Sequence, residues 1–265
     1  MNAVSMSTSP NMIASPTMST KRVIGAYVAE ARSECIRYMR NPGFMLPILL
    51  FPTMFYLLFG IVMGKSEGAD AARYLLASYG VFGVMSPGLF GFGISLALER
   101  DGGLLTYKRA LPMPPGAYLL GKMLMAMVAA AIVILLLLTM GVALAHVAIS
   151  AQQAGLLLLT GVLGVLPFCA LGMLVGTLIK GQGAPGMLNL VYLPMSFLSG
   201  LWIPMQMLPK VLQQIAPIWP SYHLHQVALA AIGMNHDAIG EHVLVLGGFA
   251  VVFFAIAARR LRRYG

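Results

Sequence analysis

The sequence predicts an all-α membrane protein: six transmembrane helices, an N-terminal amphipathic interfacial helix and short outer re-entrant helices before the last span. Three observations predict it. Only 9% of residues are charged while 59% are hydrophobic, whereas a soluble domain carries about 25% charge. A surface facing water could not be covered with so little polarity. The apolar residues fall in runs of about 20, the length that crosses a bilayer core. The basic residues stand beside those runs and favour one side.

Residues 1–20 are rich in Met, Ser and Thr and carry no charge. They lack the basic n-region and continuous apolar h-region of a signal peptide, so they read as a disordered cytoplasmic tail. Residues 21–265 form one transmembrane domain. In 24–40, Ile24, Tyr27, Val28, Ala31, Cys35, Tyr38 and Met39 share one helical face. Glu30, Ser33, Glu34, Arg37 and Arg40 share the other. Asn41-Pro42-Gly43 stops the helix, and its pattern suits the membrane interface.

The predicted spans are about 44–63, 74–98, 117–145, 154–179, 186–203 and 241–258. Pro47 and Pro52 interrupt the first and require neighbours to satisfy the freed carbonyls. Ser86-Pro87-Gly88 breaks the second, whose glycines permit close helix approach. Lys122, near the start of the third, can snorkel to the headgroups. The fourth is kinked near Pro167. The segment 204–240 is too polar and proline-rich to span and too apolar for an ordinary loop. It reads as short helices at the outer interface, with Trp202, Trp219 and Tyr222 at headgroup level.

Orientation follows from the basic residues. Lys21, Arg22, Arg32, Arg37, Arg40, Arg100, Lys108, Arg109, Lys122, Lys180, Arg259, Arg260, Arg262 and Arg263 fall on one side, which is fourteen. Lys65, Arg73 and Lys210 fall on the other, which is three. The larger group marks the cytoplasm and places both termini there. This distribution also accounts for the net charge of +9 without a nucleic-acid partner.

Several chemistries are disfavoured. GQGAPG at 181–186 matches G-x-G-x-x-G, but a spanning helix precedes it and no acid follows until Asp237. Gly64-Lys65-Ser66 resembles the end of a P-loop, but the first glycine is replaced by Phe59. No ATP site is legible. Cys35 and Cys169 form no CxxC. His223, His225, His236 and His242 gather on the outer side without H-E-x-x-H, so no metal is expected. The twenty methionines are scattered and suit packing. The spans hold almost no ionisable residues, which argues against proton coupling and leaves sodium coupling through carbonyls open.

A transport-like bundle without an energy source remains. Its most polar connection is Glu99–Gly116, reading ERDGGLLTYKRALPMPPG. Flexible Gly102-Gly103 and rigid Pro112-Met113-Pro114-Pro115 flank its charges. A docking contact and an ordinary positive-inside loop both account for it.

Three segments resemble the permease subunits of ABC-2-type ABC transporters, similar to daunorubicin and multidrug exporters. They are Glu30 through Arg40-Asn41-Pro42; Glu99-Arg100-Asp101-Gly102-Gly103 with Leu111-Pro112-Met113-Pro114; and Pro194, Phe197-Leu198-Ser199-Gly200, Pro204, Pro209 and Pro217. The match covers nearly all of 21–265. The resemblance implies a subunit of a bacterial inner-membrane exporter that pairs with itself or a relative. A separate ATPase subunit would carry ATP and Mg, with no cofactor on this chain. It implies that Glu99, Arg100, Asp101, Gly102, Gly103, Tyr107, Lys108, Arg109, Pro112 and Pro114 couple to that ATPase. Glu30, Glu34, Arg37 and Arg40 would belong to the interfacial helix beside it. Phe197, Ser199, Gly200, Pro204, Pro209 and Pro217 would form the outer gate. The apolar path favours amphipathic drugs or lipids. A glycan-exporting permease, a self-sufficient secondary transporter or channel, and an intramembrane enzyme using the histidines are the competing readings.

Overall fold

The computed structural model describes residues 19–64, 68–110, 114–235 and 238–264. Of the tail expected at 1–20, residues 1–18 lie outside the described residues, as do Lys65, Leu111, Pro112, Met113 and His236, and Thr20 already begins a helix. Helix α1 (Thr20–Met39) leads to α2 (Pro42–Phe55), which continues as a wider π-helical stretch, Tyr56–Met63. Helix α3 (Ala69–Ser86) passes through a π-helical stretch, Pro87–Phe92, into α4 (Gly93–Asp101). Short α5 (Leu104–Ala110) precedes long α6 (Pro115–Ala143). Then come α7 (Ala151–Gly164), α8 (Leu166–Leu178), α9 (Ala184–Leu198), α10 (Lys210–Ile215), α11 (Pro220–Ala231) and α12 (Ile239–Tyr264).

Local chemistry explains several boundaries. The Asn41 side chain accepts from the Gly43 N–H at 3.1 Å and starts α2. Within α2, Thr53 Oγ1 donates to the Leu49 carbonyl at 2.7 Å, beside the carbonyls that the prolines leave without amide partners. Ser150 and Gln153 form a reciprocal capping box at the start of α7. The expected break at Ser86-Pro87-Gly88 is corrected: the chain stays helical there. A π-helical register absorbs the hydrogen bond that Pro87 cannot make. The kink expected near Pro167 is present as the α7–α8 junction at Val165.

Among the described residues, five helical segments are long and apolar enough to cross a bilayer: Pro42–Met63, Asp70–Asp101, Gly116–Ala143, Ala151–Leu178 and Ile239–Leu261. The Asp70–Asp101 segment is the central one. Of its most apolar 18 residues 83% are buried, against 6% in Ile239–Leu261 at the periphery. Helix α8 presses closely on it. An added Cβ at Gly172 would lie 2.5 Å from the Gly88 carbonyl oxygen, and one at Gly176 would lie 2.6 Å from that of Gly93. Only glycine allows this approach.

The predicted fifth span, 186–203, takes a different form. Helix α9 has 15 residues, a rise of about 22 Å against a hydrocarbon core of about 30 Å. It ends at Ser199–Gly200, where Gly200 adopts φ 76°. After α10, α11 ends where the Ile232 carbonyl accepts from Arg73 and from Gln153 Nε2. Those partners stand at the starts of α3 and α7. Thus α9 and α11 together connect the two ends of the bundle, and α12 returns along α8. Two helical halves in series replace the predicted single rod.

Helix α1 lies lengthwise along the first turns of α6, with Tyr27 against Gly116 and Glu30 against Gly121. The structure directs its charged face inward. Glu34 is buried, whereas Ile24, Val28 and Met39 point outward. Arg40 is exposed.

Candidate functional site

The α4–α5 connection begins where α4 runs out of apolar residues. Gly102 caps α4 by donating to the Leu98 carbonyl at 2.9 Å. Gly103, at φ 74°, reverses the chain into α5. The residues expected to couple to a partner then divide. Thr106 and Tyr107 face outward, Tyr107 with 64% of its surface exposed. Leu105 is buried and Lys108 is turned toward α1. The side chain of Arg109 lies outside the described residues.

Glu99 is a buried junction rather than a surface contact. One carboxylate oxygen accepts from Lys122 Nζ at 3.0 Å and from Arg37, and the other accepts from the Tyr118 hydroxyl at 2.6 Å. Glu34 accepts from Arg37 at 2.6 Å and from Lys122 and Lys108 at 3.2 Å each. Lys108 also pairs with Glu30. Three carboxylates (Glu30, Glu34, Glu99) therefore balance three cations (Arg37, Lys108, Lys122) across α1, α4, α5 and α6. Balance is what makes such burial tolerable. Burial alone would lower the Arg37 guanidinium, but Glu99 and Glu34 outweigh it and raise the group above its ordinary value. The snorkelling expected of Lys122 is corrected: its side chain is fully buried and its third bond goes to Ser95 Oγ at 2.9 Å.

Arg100 and Asp101 also bond within the permease, Asp101 from the exposed surface. Arg100 donates to the carbonyls of Thr177 at 2.8 Å and Ile179 at 2.7 Å, with a longer bond to Gly176 at 3.3 Å. These are acceptors that the end of α8 leaves without intrahelical partners. Asp101 Oδ2 accepts from the Gly181 N–H at 2.6 Å.

At the opposite end, the expected gate residues surround the joint between α9 and α11. Ser199 Oγ donates to the Met195 carbonyl at 2.6 Å and meets Ser221 Oγ. The Gly200 carbonyl accepts from the Tyr74 hydroxyl at 2.9 Å. Pro209 precedes α10, Pro204 precedes the turn Met205–Met207, and the Pro217 carbonyl bonds His223 Nε2 at 2.8 Å. Phe197 lies on the exposed side of α9. The expected histidine group separates: His225 Nε2 meets Ser78 Oγ at 2.9 Å, while His223 and His242 meet through Nδ1 at 2.8 Å.

Between α2, the α3–α4 segment and α9 runs a groove of about 610 Å³. Phe55, Phe82, Phe90, Tyr192 and Trp202 supply much of its wall, and Ser86, Asn189 and the Tyr192 hydroxyl supply its polarity. Trp202 is corrected from a headgroup anchor to a groove residue. Its ring centroid is 4.9 Å from that of Phe55, and its indole N–H donates to Ser196 Oγ at 3.1 Å. The apolar path was expected, but most of its lining was not legible, because those residues come from distant helices and follow no single period. The sequence reading also missed Lys122 as a hub, although a lysine two turns into a long apolar helix is a signal in itself.

Helical spans, a buried charge junction at one end and an apolar groove describe a membrane transport component. Residues 26–232 match the family described as ABC-2 type transporter, and the chain belongs to that family. It is a multi-pass transport permease of an ABC transporter. Among its relatives, "Putative transport permease YvfS" of Bacillus subtilis (strain 168) is 29% identical over 231 residues, covering 85% of this chain and 92% of that protein. "Inner membrane transport permease YhhJ" of Escherichia coli (strain K12) is 27% identical over 175 residues, covering 64% of this chain. The alignment spans 46% of YhhJ, so this chain matches about half of that relative's length. The protein of the same name from Shigella flexneri matches to the same extent.

Proposed function

We propose that this permease is the membrane subunit of an ATP-driven exporter, energised by a separate ATPase that docks on α5. The carrying observation is the division of the α4–α5 connection. Glu99, Arg100, Asp101 and Lys108 bond to other parts of the permease, while Thr106 and Tyr107 stand free on the surface of the end where the basic residues Arg37, Lys108 and Lys180 gather. An exposed tyrosine on a short, anchored helix is suited to a protein contact, because large rigid side chains add contact area at low ordering cost. In this reading that end faces the cytoplasm, with both termini on that side of the bacterial inner membrane. A second permease, identical or related, faces the groove. The partner carries ATP and Mg, and this chain carries no catalytic site.

The groove supports an amphipathic or lipid-like substrate taken from the cytoplasm or inner leaflet. Its wall is mainly aromatic and aliphatic, with few polar groups to orient a ligand. Those polar groups are neutral, which disfavours small ions as cargo.

Tyr107→Glu tests the docking. With a tagged permease isolated from its host membranes, the substitution is expected to reduce the co-purified ATPase about tenfold, a loss of about 1.4 kcal/mol of binding. Thermal stability of the permease should not change, since Tyr107 is exposed. Undiminished ATPase recovery would remove α5 as the docking site. Uphill transport by the purified permease alone, driven by an ion gradient, would overturn the whole reading.

A further inference from the structure

We propose that Arg100 and Asp101 form a clamp that passes displacement of the α4–α5 connection to α9, the helix walling the groove. The inference rests on the docking of an ATPase at α5. Two adjacent side chains at the end of α4 bind one short stretch of backbone, from Gly176 to Gly181. Arg100 uses its planar fork, which holds several acceptors in fixed geometry. Asp101 takes the Gly181 N–H that opens the turn Gly181–Gly183. No slack separates this turn from α4: a Cβ on Gly181 would lie 2.8 Å from Leu98 Cδ2 and 3.0 Å from its Cα. The turn closes through a bond from the Gly183 N–H to the Lys180 carbonyl at 3.0 Å, and α9 begins at Ala184.

Farther along α9, the Tyr192 hydroxyl donates to the Phe82 carbonyl at 2.8 Å and accepts from Ser86 Oγ at 2.9 Å. That contact fixes the middle of α9 to α3. Pro185 and Asn189 lie between the clamp and this fixed point, and both line the groove. A shift of α4's end therefore tilts α9 about Tyr192 and moves that part of the groove wall. The opposite wall, on α2, has no such tie to Arg100 or Asp101. Both residues act as positioning residues through the backbone of the α8–α9 turn.

The test uses the permease purified with its ATPase in lipid nanodiscs, in a Cys35→Ser, Cys169→Ala background. Maleimide labelling is measured at Asn189→Cys on α9 and at Phe51→Cys on α2, with and without ATP and vanadate. With the clamp intact, trapping the nucleotide should change the labelling rate at Asn189→Cys about threefold or more, as for a population shift between two states. Arg100→Lys with Asp101→Ala should abolish that response and preserve the response at Phe51→Cys. Asp101→Asn alone, which keeps an acceptor oxygen for Gly181, should retain it. A clamp variant that keeps the response at Asn189→Cys overturns the proposal. Loss at both positions also overturns it, because the defect would not be specific to α9. Absence of any response at either position with the clamp intact defeats the docking reading, and the clamp with it.

Discussion

Replacing Lys122 with methionine should lower the stability of the folded permease by about 3–5 kcal/mol, the range for breaking a buried ion pair from one side. Methionine fills the volume of the aliphatic stem, so loss of packing is a small part of the effect. The damage comes from charge. Glu34 and Glu99 are nearly fully buried, and without Lys122 the cluster holds three carboxylates against Arg37 and Lys108. A second substitution, Glu99→Gln, restores neutrality while leaving oxygen and nitrogen to serve Tyr118. The Lys122→Met, Glu99→Gln pair should therefore be more stable than Lys122→Met alone, although each single change is destabilising. A double-mutant cycle on thermal unfolding in detergent measures this coupling. Additive losses would show that the cluster does not act as one charge-balanced unit.

The second large effect is steric. Gly172→Val should displace α8 from the central span and cost about 3 kcal/mol or more, at the upper end of overpacking penalties. The neighbours it would strike are the carbonyl oxygens of Gly88 and Leu89 and the Cα of Leu89. Backbone cannot rotate aside as a flexible side chain can. Gly155→Val on α7 provides the comparison, since nothing lies within 4 Å of its added Cβ. That change should be neutral or stabilising by a few tenths of a kcal/mol, since valine has a higher helix propensity than glycine. Detergent-solubilised yield and melting temperature read both. Equal behaviour of the two variants would mean that α8 does not depend on this close approach.

The membrane class and most of the helices were legible because they depend on local quantities. An apolar run longer than the bilayer core announces α6 or α12 by itself, and Asn41-Pro42-Gly43 reads as the stop where α1 ends. What could not be read depended on partners distant in sequence. Ser86-Pro87-Gly88 has the chemistry of a break, yet burial against α8 keeps it helical. Lys122 has the chemistry of a snorkelling residue, but Glu34 and Glu99 lie 88 and 23 positions away and no spacing rule joins them to it. The charges of Glu99, Arg100 and Asp101 mark the connection after α4 as the most polar in the sequence. Their bonds within the chain were hidden, because a charge pattern does not reveal whether its partner is solvent, another subunit or the same chain.

A crossing assembled from α9 and α11 behaves unlike a straight pole. When a single helix is pushed at its foot, its top must follow. Here the lower segment is tethered to the α3–α4 segment, whereas the upper one is fastened among α3, α7 and α12, and the two meet at a joint where Ser221 bonds Ser199 and the Met195 carbonyl. The foot can swing while the upper segment stays seated. In the proposed exporter, this arrangement lets the groove wall move at one end of the bundle while the packing at the other end is kept.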